Sequence, residues 1–292
     1  MKVPETLYKY TTASTAKIVL ESGCLRWSNT SQFNDLHEFQ IMPVFSPNLE
    51  QDWEPYLLTI VDMAYNNYSP EVKALSLETQ VLLSLLKQLK STVQSKQELF
   101  NIIHMKCPSG NNAMEEHLRS YIKSIKTEYA RVLCLTSSPT NHVMWAHYAS
   151  NHTGCVLGFR SEESSGKCFL EAEPVKYTEG SPVIGTGKDF LLYGESPELR
   201  QKTVEAIFYT KQKSWAYENE WRVITWRNNE TNKSFGDYIF YREELESITF
   251  GPRLSNADKV SISNVLQDKY YSTKIFAIVN RNGKSERMLV NG

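Results

Sequence analysis

The chain has 292 residues, 41% of them apolar, and sets 32 Lys and Arg against 33 Asp and Glu for a formal net charge of −1. That length and apolar share can fill one large core or two small ones, which excludes a disordered or fibrous chain. The balanced charge excludes a global pull toward nucleic acid or an anionic membrane, so any nucleic-acid contact must come from a local patch.

The N-terminal MKVPETLYKYTT lacks the apolar centre of a signal peptide, and no apolar run approaches the roughly 20 residues that span a bilayer. A soluble cytoplasmic protein without membrane association is expected. The five cysteines, Cys24, Cys107, Cys134, Cys155 and Cys168, are scattered, odd in number and form no CxxC pair. They read as reduced thiols rather than a disulfide framework or a zinc site.

In chain order, Leu7-Tyr8-Lys9-Tyr10 reads as a short strand, followed by a helix over 13–22 capped by Thr11, Thr12 or Ser14 and stopped at Gly23. Cys24 to Ser28 then alternates as a strand, and Phe33-Asn34-Asp35 forms a polar turn. From about 50 to 128, Glu, Gln, Lys and Leu recur at helical spacing, with Pro70, Pro108 and Gly110 as punctuation. Glu115 to Tyr129 reads as the last helix of that stretch.

After 130 six short strand-like runs appear: 131–136, 154–159, 220–226, 238–241, 247–250 and 274–279. Helical spacing returns over 198–213 and 256–268. The expected architecture is α+β: a single domain over 1–292 with a sheet core and a helical insertion at about 50–128.

Three segments can carry chemistry. The first, Lys211 to Arg222, packs Lys211, Lys213, Trp215, Tyr217, Glu218, Glu220 and Arg222 into twelve residues. If a strand starts near Tyr217, then Glu218, Glu220 and Arg222 share one face. Two carboxylates beside a guanidinium suit a cleft that holds a hydroxyl or stabilises positive charge developing on a sugar. The competing reading is a solvent-facing strand edge with a Glu–Arg pair.

The second segment, Asn141 to Gly154, carries His142, His147 and His152 with Met144, Trp145 and Tyr148. On a helix, histidines five apart drift by about 140° per step, so the three do not converge on a metal, and none is expected. Trp145, His147 and Tyr148 suit stacking on a flat ligand, while Trp145 and Tyr148 at helical spacing also suit a core.

The third segment is Phe33-Asn34-Asp35-Leu-His37-Glu38, in which Asn34 reads as an Asx-turn and Asp35 with Glu38 as caps of the following turn. Lys9, between Tyr8 and Tyr10, is either an ordinary exposed lysine or a cation aimed at a ligand phosphate. The chain has no GxGxxG after a strand, no P-loop and no HExxH, which sets aside Rossmann, kinase and zincin readings.

Taken in order, LYKYTT, FNDLHEF, LCLTSSPTNHVMWAHYASNHTGCVLGF, KQKSWAYENEWRVI and LESITFGPRLS resemble a widespread bacterial family of unknown function. Its signatures are FNDPxE, MWxxYxxxHxG and WxxExExR, and Leu36-His37 stands here where the family more often has Pro-Phe. More remotely, the chain is similar to the ADP-ribosyltransferase superfamily, whose site is split over three strands. In that comparison Lys9 stands where His or Arg is usual, Trp145, His147 and Tyr148 belong to the second element, and Glu218-Asn219-Glu220 forms the third.

This resemblance implies a mixed or antiparallel sheet core of ADP-ribosyltransferase type and NAD as the substrate. Glu220 would hold the nicotinamide-ribose hydroxyl, and Glu218 would orient or deprotonate the acceptor. Lys9 or Tyr10 would hold the adenosine side, Tyr148 or Trp145 would stack on nicotinamide, and Arg222 would pair with a Glu or meet a phosphate. The acceptor would be a macromolecule, nucleic acid or protein, and the biological role a toxin or antiviral defence effector; the 50–128 helices would select the acceptor, bind an antitoxin-like partner or simply complete the fold. Two other classes stay open: a non-catalytic nucleotide- or partner-binding module, and a carboxylate-dependent hydrolase.

Overall fold

The structure, a computed structural model, describes residues 2–35, 38–39, 42–68, 74–106, 112–125, 127–161, 168–227, 233–281 and 283–290. Leu36, His37, Pro70, Cys107, Pro108 and Gly110, all singled out in the sequence, lie outside the described residues.

The chain begins with strand β1 (Thr6–Thr11), helix α1 (Ala13–Ser22) and strand β2 (Cys24–Ser28). Thr12 caps α1 by accepting from the Thr15 amide, and Gly23 ends it at φ 68°, a left-handed conformation that glycine adopts without steric cost. Next come β3 (Val44–Phe45) and helices α2 (Trp53–Asn66), α3 (Leu77–Leu89), α4 (Lys96–Lys106) and α5 (Asn112–Ser124). Strand β4 (Ala130–Thr136), helix α6 (His142–Tyr148), β5 (Cys155–Arg160), β6 (Glu173–Pro174) and β7 (Lys176–Thr178) succeed them.

The chain then forms β8 (Val183–Gly185), α7 (Gly187–Tyr193) and α8 (Pro197–Phe208). It ends with β9 (Thr210–Gln212), β10 (Glu220–Trp226), β11 (Phe235–Ile239), β12 (Leu245–Phe250), α9 (Asn256–Lys269), β13 (Lys274–Arg281) and β14 (Lys284–Leu289).

These elements pack as two compact units. The first comprises residues 1–38, 127–179 and 211–292, and the second 39–126 and 180–210. In the first unit, ten strands form one mixed sheet in the order β11-β2-β4-β1-β5-β12-β13-β14, with β10 pairing β4 and β6. Pairing is antiparallel except between β12 and β13, which run parallel and need the α9 crossover to join them. The core of this unit gathers Leu7, Leu20, Trp27, Leu133, Leu157, Phe159, Trp221 and Ile248 from all three of its chain stretches.

In the second unit, α2, α3 and α4 bury Leu57, Ile60, Leu83, Leu86 and Leu99 together. A neighbouring cluster joins Phe45 to Tyr121, Ile184 and Phe190. The expected α+β class holds, and the helical stretch occupies the second unit with α7 and α8. The sequence signal over 198–213 covers a helix that ends at Phe208 and a separate short strand. Among the described residues, no helix is long and apolar enough to cross a membrane.

Candidate functional site

Strand β10 pairs along its whole length with β4, Glu220 opposite Thr136 and Arg222 opposite Cys134, which fixes Glu220 and Arg222 on one face. The strand does not reach back to Tyr217. Residues 213–218 form a 3-10 turn, and Asn219, at φ 44°, makes the left-handed step into β10 that a short polar side chain tolerates. Glu218 therefore joins the site from a turn rather than from the strand. Its carbonyl accepts the Thr136 hydroxyl at 2.6 Å, which locks that turn onto the end of β4.

Lys211 stands at the centre of the charged cluster. Its Nζ lies 2.7 Å from Glu218 Oε2, 3.2 Å from Glu220 Oε2 and 3.5 Å from Glu38 Oε2, over the Trp215 ring at 4.7 Å. Arg222, fully buried, donates from Nε to Glu220 Oε1 and from Nη2 to Glu220 Oε2, both at 2.9 Å, and its Nη2 also reaches Glu38 Oε1. Three carboxylates thus enclose two cations, all of them buried. Lone buried charges would be prohibitive, so each depends on the others.

The acid–base behaviour of the cluster is set by that packing. Burial pushes the Glu220 carboxyl up, but the Arg222 guanidinium and the Lys211 ammonium outweigh it and hold the group at about 2. For Glu38 burial wins: Arg222 draws its carboxyl down, Glu220 pushes it up, and the net shift is upward. Burial also disfavours the charged forms of Lys211 and Arg222, and the surrounding glutamates reverse this, so both are held protonated. Glu220 is therefore a fixed anion, with both oxygens committed to cations.

Glu218 is placed differently. Its Oε1 accepts the Tyr148 hydroxyl at 2.6 Å and its Oε2 accepts Lys211. A carboxylate offers about four lone-pair directions, so acceptor capacity is left over. Burial, reinforced by the bond and the charge of Glu218, raises the Tyr148 phenol, which remains a neutral donor. Asn34 Nδ2 donates to the same phenol oxygen at 3.4 Å, a role beyond the Asx-turn expected for it.

Both carboxylates face a concavity of about 440 Å³ whose wall includes Tyr8, Lys9, Tyr10, Phe33, His147 and Tyr148. Lys9 is half-buried and spends one donor on the Cys134 carbonyl at 2.8 Å. Tyr10 uses its hydroxyl structurally, donating to the Ser138 carbonyl and accepting from the Asn141 amide, both at 3.0 Å. His147 sits at the rim with Nδ1 3.2 Å from Tyr217 Oη.

Helix α6 presents His147 and Tyr148 because Asn141 caps it, accepting from the Val143 and Met144 amides while its Nδ2 donates to the Tyr217 carbonyl. The chain leaves α6 through Ser150, Asn151 and His152, all at positive φ, and returns to the sheet at Gly154. A Cβ on Gly154 would sit 2.2 Å from the Thr11 carbonyl oxygen, so only glycine fits there.

The structure thus brings Lys9, His147, Tyr148, Glu218 and Glu220 to one wall. Trp145 is not on it: only 1% exposed, it packs edge-on against Tyr10 and bonds the Pro139 carbonyl, so its rings fill the core. Arg222 lies behind the wall as an ion-pair partner. Glu38 does not cap a turn with its carboxylate, which is spent on Arg222 and Lys211.

Sequence patterning assigns no ligand-binding or catalytic role to Lys211, Glu38, Asn34 or Tyr177, whose hydroxyl accepts the Glu220 amide at 2.8 Å. Local spacing signals none of these except Lys211; Asn34 and Glu38 are visible only as members of an FND-x-x-E motif.

Residues 144–223 match the model of a family described as protein of unknown function (DUF2971). That segment holds His147, Tyr148, Lys211, Glu218, Glu220 and Arg222, and so most of the site. No curated protein and no solved structure matches the chain.

Proposed function

We propose that the concavity binds NAD and that the chain is an ADP-ribosyltransferase acting on a macromolecular acceptor. The observation that carries this reading is Glu218, a buried carboxylate with spare acceptor capacity, braced by Tyr148 and Lys211 on the wall of an aromatic, Lys9-bearing pocket. Glycosidic transfer needs a fixed anion near a sugar that develops positive charge, and a second carboxylate to take the proton of the incoming nucleophile.

The geometry suits Glu220 to the first role, since its bonds to Arg222 and Lys211 keep it ionised, and Glu218 to the second. The pocket is assembled from three separate elements, β1, α6 and the 218–220 turn, though the second is a helix and the third a turn where the ADP-ribosyltransferase superfamily has strands. Lys9, with donors to spare after the Cys134 carbonyl, is suited to a ligand phosphate. The volume lies within the range of small-ligand pockets, about 300–1,000 Å³.

The test is incubation of the purified chain with labelled NAD and RNA, DNA or protein acceptors. Nicotinamide release with label on an acceptor supports the reading, and its absence with every acceptor removes it. A second reading, a nucleotide-sensing module without turnover, is favoured by how fully Lys211 and Arg222 satisfy Glu220. Saturable NAD binding with no nicotinamide release would select it.

A further inference from the structure

Tyr8 stands on the wall of the concavity and also borders a polar patch that the proposed chemistry does not use. On β12, Ile248 and Phe250 join the hydrophobic core of the first unit, as Leu7 does on β1. Alternation therefore turns Ser247 and Thr249 to the opposite face of the sheet, the face of Tyr8. Gly158, the register partner of both Tyr8 and Ser247, leaves them room to meet: a Cβ there would lie 2.4 Å from Ser247 Oγ and 3.0 Å from Tyr8 Cε1.

Strands β5, β12 and β13 stand between β1 and β14 in the sheet order, so a flat sheet would hold the backbones of Tyr8 and Arg287 at least about 19 Å apart. The sheet instead curls over this face, and Arg287 Nη1 donates to Tyr8 Oη at 3.0 Å. The guanidinium carbon lies 3.8 Å from the Phe276 ring centroid and 5.3 Å from that of Tyr8. Aromatic rings fix the plane of an arginine without neutralising its charge.

Among the described residues no carboxylate pairs with Arg287, whereas Arg222, Lys211 and Arg26 each have one. Arg287 Nε, Ser247 Oγ and Thr249 Oγ1 are also buried without a hydrogen-bond partner among those residues. Thr249 is the register partner of Phe276, so these atoms gather around the ring that carries Arg287. Buried polar groups left unpaired cost stability, and several on one face mark a place suited to an acceptor.

Each of these groups can donate: the remaining N–H groups of Arg287, the two hydroxyls and, since Tyr8 Oη already accepts from Arg287, the phenolic proton of Tyr8. We infer that Arg287 and Tyr8 receive a phosphate of the ligand, which extends the pocket from Tyr8 to the β13–β14 hairpin. The planar fork of a guanidinium matches two phosphate oxygens, and its stacking on Phe276 holds that fork ready. This assignment rests on the nucleotide reading of the concavity. It gives Lys9 a companion cation from a strand outside the family segment 144–223.

Calorimetric titration of wild type, Arg287→Gln and Arg287→Lys with NAD, inorganic pyrophosphate and phosphate-free nicotinamide riboside tests it. Wild type should bind NAD and pyrophosphate. Arg287→Gln should weaken both by about tenfold or more, with riboside affinity and melting temperature unchanged. Arg287→Lys keeps the charge and loses the fork, so its affinity for both should fall between the other two. It also keeps a long stem over Phe276, and decides the matter if the glutamine variant proves less stable.

Unchanged affinity for NAD and pyrophosphate in the variants overturns the assignment. So does a loss shared by the riboside, which marks a structural role, and so does a wild type that binds no phosphate-bearing probe. Binding of pyrophosphate through Arg287 without binding of NAD would keep the subsite and remove the NAD reading.

Discussion

Tyr148, Glu218, Lys211, Glu220 and Arg222 form a chain of charge-assisted bonds, and substitutions along it should separate chemistry from stability. Tyr148→Phe removes the 2.6 Å bond to Glu218 and nothing of the ring, so folding should weaken by about 1–3 kcal/mol while turnover falls about tenfold or more. Glu220→Gln is a different experiment. It leaves Arg222 fully buried with one carboxylate partner fewer, so stability should fall by about 3–5 kcal/mol by denaturant titration, together with turnover, because the same carboxylate is the fixed anion of the proposed reaction. Equal stability of wild type and Glu220→Gln would contradict the cluster as described. At this scale the sequence is half legible. Glu218, Glu220 and Arg222 are visible as a charged run, but Glu38 pairs with Arg222 across 184 residues, a contact that periodicity cannot encode.

Among the elements, caps and alternation make some boundaries plain. Thr12 and Gly23 bracket α1 at the expected 13–22, and β2 and β10 fall on the expected residues. Other elements are hidden for physical reasons. The alternation of Glu218, Glu220 and Arg222 imitates a strand, whereas Asn219 breaks it with a left-handed step. Strand β14, Lys-Ser-Glu-Arg-Met-Leu, lies at the sheet edge and is largely exposed, so it carries almost no apolar signal. The return from α6 to β5 can be tested here: Gly154→Ala places a methyl against the Thr11 carbonyl and should cost more than about 2 kcal/mol, read as a fall in Tm. Since α6 carries His147 and Tyr148, the NAD binding proposed for the pocket should weaken with it.

For the whole molecule, the buried cluster sets the response to acid. Glu220 is held at about 2, below its ordinary value near 4.5, so the folded state binds its proton less tightly than the unfolded state. Its contribution is complete above about 4.5 and is lost as pH falls toward 2. Glu38 works in the opposite sense: its carboxyl is raised by burial, so its contribution is present at low pH and is lost as pH rises through its folded-state value. A protein with both groups should lose stability on acidification, with Glu38 partly offsetting Glu220. Glu38→Gln should therefore remove the stability gained as pH falls from the folded-state value of Glu38 toward about 4.5, read by urea titrations across pH, and an unchanged profile above about 4.5 would contradict the coupling.

The proposed chemistry depends most on Glu218 being the carboxylate that meets the acceptor. Nicotinamide release from NAD, measured side by side for wild type and Glu218→Gln with matched thermal stability, tests it most directly. Turnover by wild type is expected, with a loss of about a hundredfold or more in kcat for the variant and NAD binding retained. Equal turnover by the two proteins, or none by wild type with any acceptor, would contradict it.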